Sequence, residues 1–270
     1  MVSVISDLIK NRYLLKELVL KDIRLRYRRP ALGFVWAFLM PVAMAGIFYL
    51  VFGIFLRVRI QEAPFFLYLM SALFPWRMFQ DSLSAGATSL YDNRALVRES
   101  RAPFYIFPLA IVLVNMALAL PGYALVAALS AVKLHGVSAH LPMLPAILIL
   151  HGVLTAACSM IAAVLFVRWR DIRYVIEISL AFLFYITPGF YSISMVKDLL
   201  PAYAYRLYIY NPFACILALY RVSFIKGFAA HEPSVAACFI VVTIAAGVLS
   251  ALAVLLYKAN KRYVIEHVSY

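Results

Sequence analysis

The chain has 270 residues, 66% of them hydrophobic and only 14% charged, with a net charge of +13 and a mean hydropathy of +0.92. Soluble domains run about 45–50% apolar and about 25% charged, so this composition excludes an ordinary soluble fold and indicates a polytopic α-helical membrane protein. A β-barrel is disfavoured because its strands would alternate apolar and polar residues over about 10 positions, whereas the apolar residues here come in long runs. Nucleic acid is not needed to explain the positive charge: cationic inner loops and anionic lipid headgroups account for it.

Residues 4–29 read as an amphipathic interfacial helix. At helical spacing Ile5, Leu8, Leu15, Val19 and Ile23 share one face, and Lys10, Glu17, Lys21, Arg24 and Arg28 the other. A helix packed on a partner protein is the alternative. The first 30 residues carry eight Lys/Arg and no uninterrupted apolar core before Ala31, so no cleavable signal peptide is expected. The basic cluster Arg24, Arg26, Arg28 and Arg29 then stops at Pro30, and residues 31–56 hold no charge. About 20 apolar residues span a bilayer core as a helix, and basic residues beside a span stay cytoplasmic.

Five further spans are expected over residues 64–91, 104–132, 143–167, 175–192 and 234–257, with Pro108 and Pro121 bending the third. With both termini inside, the inner segments hold seventeen Lys/Arg and the outer ones seven, four of these in residues 193–233. That stretch is too polar for a simple span and too apolar for a solvated loop. Its Asn211-Pro212 step breaks helix, so it reads as two short re-entrant helices entering from outside, or else as a seventh tilted span. Residues 92–103 form a short polar inner segment suited to docking a soluble partner, or an ordinary basic loop.

Enzyme motifs are absent. Without G-x-x-x-x-G-K-[ST] the chain has no phosphate loop of its own, and neither H-E-x-x-H nor G-x-S-x-G occurs. No catalytic or metal-binding residue is expected. Cys158, Cys215 and Cys238 read as small buried hydrophobes, and His151 as a hydrogen-bonded core residue. Arg77 and Asp81 are the costly residues, at roughly 2.5–3.5 kcal/mol each near a bilayer centre. Their i, i+4 spacing lets them pair, facing either protein or a water-filled lumen. Aromatics at membrane depth offer stacking faces along which a sugar polymer could slide. The channel-lining candidates are Phe34, Trp36, Tyr68, Trp76, Arg77, Phe79, Asp81, Tyr185 and Tyr191.

Several ordered pieces resemble the permease subunits of type-2 ABC exporters that move polysaccharides such as O-antigen, capsule and teichoic acid. They are Arg26-Tyr27-Arg28-Arg29 followed by Leu32-Gly33, Trp36 and Pro41, then Leu73-Phe74-Pro75-Trp76 with Phe79 and Ser82. Asn93-Arg94-Ala95-Leu96-Val97 leading to Arg101-Ala102-Pro103 comes next, followed by Arg170-Asp171-Ile172-Arg173, Pro188-Gly189-Phe190-Tyr191 and Asn211-Pro212. The likeness covers nearly the whole chain. It implies a homodimer in the bacterial cytoplasmic (inner) membrane, with an ATP-binding cassette subunit on each protomer. ATP and Mg would sit on those partners, and this chain would bind no cofactor. The cargo would be a lipid-linked, O-antigen-like glycan; capsule, teichoic acid, a drug or a small lipid is the alternative. By residue transfer Asn93, Arg94, Leu96, Val97 and Arg98 would contact the ATPase, and Pro188, Gly189, Asn211 and Pro212 would belong to the external gate.

Overall fold

The computed structural model describes residues 7, 10–27, 35–58, 60, 63–99, 103–197, 199–228 and 233–268. Phe34, the start of the expected first span, Arg28, Arg29 and residues 100–102 lie outside them. The described residues are helical, with no strand among them. In chain order the helices are α1 (Arg12–Tyr27), α2 (Val35–Phe48, continuing as a π-helical stretch Tyr49–Phe55), α3 (Phe65–Asp92), α4 (Arg94–Glu99) and α5 (Ile106–Lys133). After a 3₁₀ turn at Leu141–Met143 come α6 (Leu144–Arg168), α7 (Ile172–Ile186), α8 (Ile193–Lys197), α9 (Ala202–Ile209), α10 (Pro212–Phe224) and α11 (Val235–His267).

Among the described residues three helical stretches, Ile106–Lys133, Leu141–Arg168 and Val235–His267, are long and apolar enough to cross a membrane, and α9 with α10 would make a fourth, bent by 63°. At 1.5 Å per residue α3 is about 42 Å long, so it has the length, but its polar side chains lower its hydropathy.

Helix α3 is the hub, packing against α2, α5, α6, α7 and α10. Every residue from Leu67 to Trp76 is buried, so this half of the helix has no outward face. Close approach is achieved with small residues. A Cβ on Gly122 of α5 would fall 2.2 Å from the Phe74 ring, and one on Gly86 of α3 would fall 2.8 Å from Ser159 of α6. Such contacts replace the hydrophobic effect where the surroundings are themselves apolar. Short polar bonds add to them: Asn115 donates to Ser82 Oγ at 3.1 Å, and Ser159 Oγ donates to the Ser82 carbonyl at 3.2 Å.

The core divides between two ends. At the basic end Leu18, Leu90, Val97, Phe104, Phe107, Val164, Val264 and Val268 join α1, α3, α4, α5, α6 and α11. At the opposite end Phe65, Tyr68, Tyr123, Cys215, Tyr220, Phe224 and Cys238 join α3, α5, α10 and α11. The apolar side of α1 thus packs on protein through Leu14, Leu15, Leu18 and Val19.

Several boundaries differ from the sequence reading, each for a local reason. Helix α7 stops at Ile186, short of residue 192, because Thr187 precedes Pro188 and adopts extended backbone (φ −88°, ψ 137°). Helix α11 runs on to His267, past residue 257, since no Gly or Pro follows Gly247 and Arg262–Glu266 pairs at i, i+4. Pro108 sits in the first turn of α5, where a missing N–H costs nothing, so it is no bend; Pro121 lies inside that helix, which continues through it. The described residues of 193–233 form three short helices where two are expected. The expected break at Asn211-Pro212 is present: the Asn211 side chain accepts from Phe213 N–H at 3.0 Å, with Pro212 at the first helical position.

Candidate functional site

Two regions concentrate the polar chemistry, one at each end. At the basic end α4 is anchored by buried Val97 while Arg94, Leu96 and Arg98 stay exposed. Asn93 closes α3 by donating to the Ser89 carbonyl at 2.8 Å, and its side-chain oxygen accepts from Lys21 Nζ of α1 at 2.7 Å. The Tyr91 ring takes the guanidinium of Arg94 at 5.1 Å and that of Arg170 at 5.2 Å. Three elements far apart in sequence are thereby tied: α1, the α3–α4 junction and the turn before α7. Arg173 bonds Glu177 at 3.0 Å on the exposed side of α7.

At the opposite end the chain buries an arginine. Arg221 of α10 is 1% exposed. One of its terminal nitrogens donates to the Pro188 carbonyl at 2.6 Å and the Gly189 carbonyl at 2.9 Å, and its guanidinium lies 3.6 Å above the centre of the Tyr68 ring. The Tyr68 hydroxyl donates to the Tyr191 carbonyl at 3.0 Å. Tyr208 of α9 donates to the Tyr191 hydroxyl at 2.8 Å, which donates to the Tyr185 carbonyl at 3.0 Å. Behind this network His151 of α6 meets the Tyr220 hydroxyl at 3.2 Å, the expected core histidine, and Tyr123, Tyr220 and Phe224 stack on one another.

The aromatic candidates separate by position. Tyr68, Trp76 and Phe79 are buried in the chain's own packing, Phe79 and Trp76 around Phe213 of α10. Trp36 and Tyr185 are exposed and Tyr191 is half-buried. Arg77 and Asp81 pair at 3.3 Å with side chains 38% and 41% exposed. Pro188 and Gly189 are buried beside Arg221, while Asn211 and Pro212 form the α9–α10 corner. Cys215 and Cys238 are buried, and Cys158 partly so. Among the described residues no group of three or more His, Cys, Asp or Glu is arranged to hold a metal.

Arg221 is the residue the sequence reading underrates, since it counts there as one more cation of an external loop. The available signal was its flanks: Phe213 to Phe224 is apolar apart from Arg221 and two weakly polar residues.

The family pattern of ABC-2 type transporters matches residues 13–225. The chain belongs to that family. This ABC-2 chain is similar to the "O-antigen export system permease protein RfbA" of Myxococcus xanthus, 27% identical over 224 residues, 83% of this chain and 85% of the relative. A protein of the same name from Klebsiella pneumoniae is 26% identical over 215 residues, 78% of this chain and 80% of the relative. Membership identifies a multi-pass permease subunit of a type-2 ABC exporter, which works with an ATP-binding partner subunit, and supports polysaccharide as the exported class.

Proposed function

We propose that this chain is the channel-forming subunit of an ATP-driven exporter that moves a lipid-linked, O-antigen-like polysaccharide across the bacterial cytoplasmic membrane. The observation that carries this reading is the family match together with O-antigen export permeases that align over about four fifths of the chain. In this reading two copies enclose the pathway and each carries one ATP-binding subunit. The permease crosses the membrane six times with both termini inside, and α1 lies along the inner surface. ATP and Mg belong to the partner subunits, and this chain holds no cofactor.

Features of the molecule support the parts. Helices α2 and α7 carry apolar stripes exposed outside the chain, Trp36, Met40, Met44 and Ile47 on one, and Tyr174, Ile178, Phe182 and Tyr185 on the other. Such stripes need lipid or a second copy against them. The exposed aromatics among them, with Tyr191 and the Arg77–Asp81 pair, are the lumen candidates; stacking faces without deep pockets let a polymer slide. At the basic end the Lys21–Asn93 bond and the Arg94–Tyr91–Arg170 stack support coupling through Asn93, Arg94, Leu96, Val97 and Arg98. Closure of the ATP-binding domains would press α4, and the press would reach α1 and α7 together. At the other end, residues 193–233 with Pro188, Gly189, Asn211 and Pro212 form the external gate.

A strain lacking this gene is expected to accumulate lipid-linked glycan on the inner face of the membrane, and re-expression is expected to clear it. Accumulation of no glycan, with a drug or small lipid retained instead, would transfer the reading to that substrate class. A cysteine at Asn93 is expected to react with an impermeant maleimide only from the cytoplasmic face; reaction from outside would overturn the topology.

A further inference from the structure

We propose that Arg221 is a positioning residue that latches the outer mouth shut at rest. The inference rests on reading residues 193–233 as the external gate. It starts from where α7 ends. Pro188 cannot continue the helix, and the turn after it presents two buried carbonyls, those of Pro188 and Gly189. Arg221, more than thirty residues later, satisfies both from one guanidinium nitrogen. Buried acceptors left without donors are penalised, so this turn is stable only while α10 stands where Arg221 reaches it.

The rest of the network makes the contact a junction of three helices and a turn. Tyr68 belongs to the hub helix α3, and it holds the Arg221 guanidinium on its face and the Tyr191 carbonyl on its hydroxyl. Tyr208 holds the same turn from α9. Both arms of the bent α9–α10 pair are therefore fastened to the end of α7, one through Arg221 and one through Tyr208. A methionine or leucine would pack α10 against α3 with less desolvation, because a buried cation is tolerated only when its hydrogen bonds are good. What the arginine adds is a contact that is either made or broken. Hydrogen bonds to two adjacent carbonyls weaken steeply with misalignment, whereas apolar packing slides. A discrete tie between the α9–α10 pair and the turn after α7 is what a gate there would need in order to seal.

The test uses the permease assembled with its ATP-binding subunit in liposomes loaded with a small uncharged sugar, without ATP or glycan. Resting efflux is measured for the wild type, Arg221→Met, Arg221→Lys and Tyr68→Phe. The expected order is a rise of tenfold or more for Arg221→Met and several-fold for Arg221→Lys, whose ammonium keeps the donors but has no planar face to lie on the Tyr68 ring. A smaller rise is expected for Tyr68→Phe, which keeps the ring face and loses the bond to Tyr191. The conservative pair carries the test where Arg221→Met fails to assemble. If Arg221→Lys and Tyr68→Phe assemble and stay as tight as wild type, the latch is overturned; a purely structural role lowers yield without raising efflux. A cysteine at exposed Tyr203, probed with impermeant maleimide, separates the two readings. Labelling from the inner face removes the external gate itself. Labelling from outside with tight variants removes the latch alone.

Discussion

Arg221 and Arg77 are both arginines set in apolar helices, and the molecule treats them in opposite ways. Arg77 is paired one turn along its own helix with Asp81, and both side chains remain more than a third exposed. Arg221 is buried and bonded to backbone carbonyls of another segment. The first arrangement is local and replaceable, because an exposed pair keeps access to surroundings outside the chain. The second is long-range and structural, because removing the cation takes a donor from two buried carbonyls of another segment. A charge in an apolar helix therefore does not announce its own importance; the distance in sequence to its partner does.

That contrast can be broken by three measurements of stability in detergent. Arg221→Ala is expected to have the largest effect, since two buried carbonyls lose their donor at roughly 1–3 kcal/mol each. A clear fall in Tm is expected, and an unchanged Tm would remove the distinction between the two arginines. His151→Leu comes next. It deletes the bond to Tyr220, the residue immediately before Arg221 on the same helix, at a net of about 1 kcal/mol. A loss as large as that of Arg221→Ala would mean that α10 is held by its aromatic stack rather than by the carbonyl tie. The double change Arg77→Ala with Asp81→Ala should be the mildest, within about 1 kcal/mol, because half-exposed pairs contribute little. Its informative readout is export, expected to fall several-fold with stability intact if the pair faces the lumen. Normal export would leave these residues a purely local pairing.

Much of the architecture was legible because it depends on near neighbours. Long uncharged runs mark α5, α6 and α11, and Asn211-Pro212 marks a cap followed by a first-turn proline, so the corner of the hairpin could be located from two residues. Residues 92–103 stood out as a short polar segment, and the family resemblance singled out Asn93 and Arg94 within it. What stayed hidden depends on partners distant in sequence. Burial of Tyr68, Trp76 and Phe79 inside the chain follows from α3 being surrounded, and no periodicity within α3 reveals how many helices surround it. The Arg221 contact was invisible for a related reason: its acceptors are main-chain oxygens, which every residue possesses, so no residue type signals them. The end of α7 at Ile186 was readable from Pro188, but the apolar residues after it masked the stop.

Helix α11 has 33 residues, about 50 Å at 1.5 Å per residue, against a hydrocarbon core of about 30 Å. An upright helix of that length would leave about 20 Å, some two fifths of it, clear of the hydrocarbon core. That projecting part contributes Val264 and Val268 to the same cluster as Leu18 and Val97, while the far end contributes Cys238 to the core around α10. With no proline along its length, the helix continues unbroken from the core around α10 to the cluster it shares with α1 and α4. One unbroken helix thus belongs to both core clusters, and the two ends of the molecule share a single backbone element.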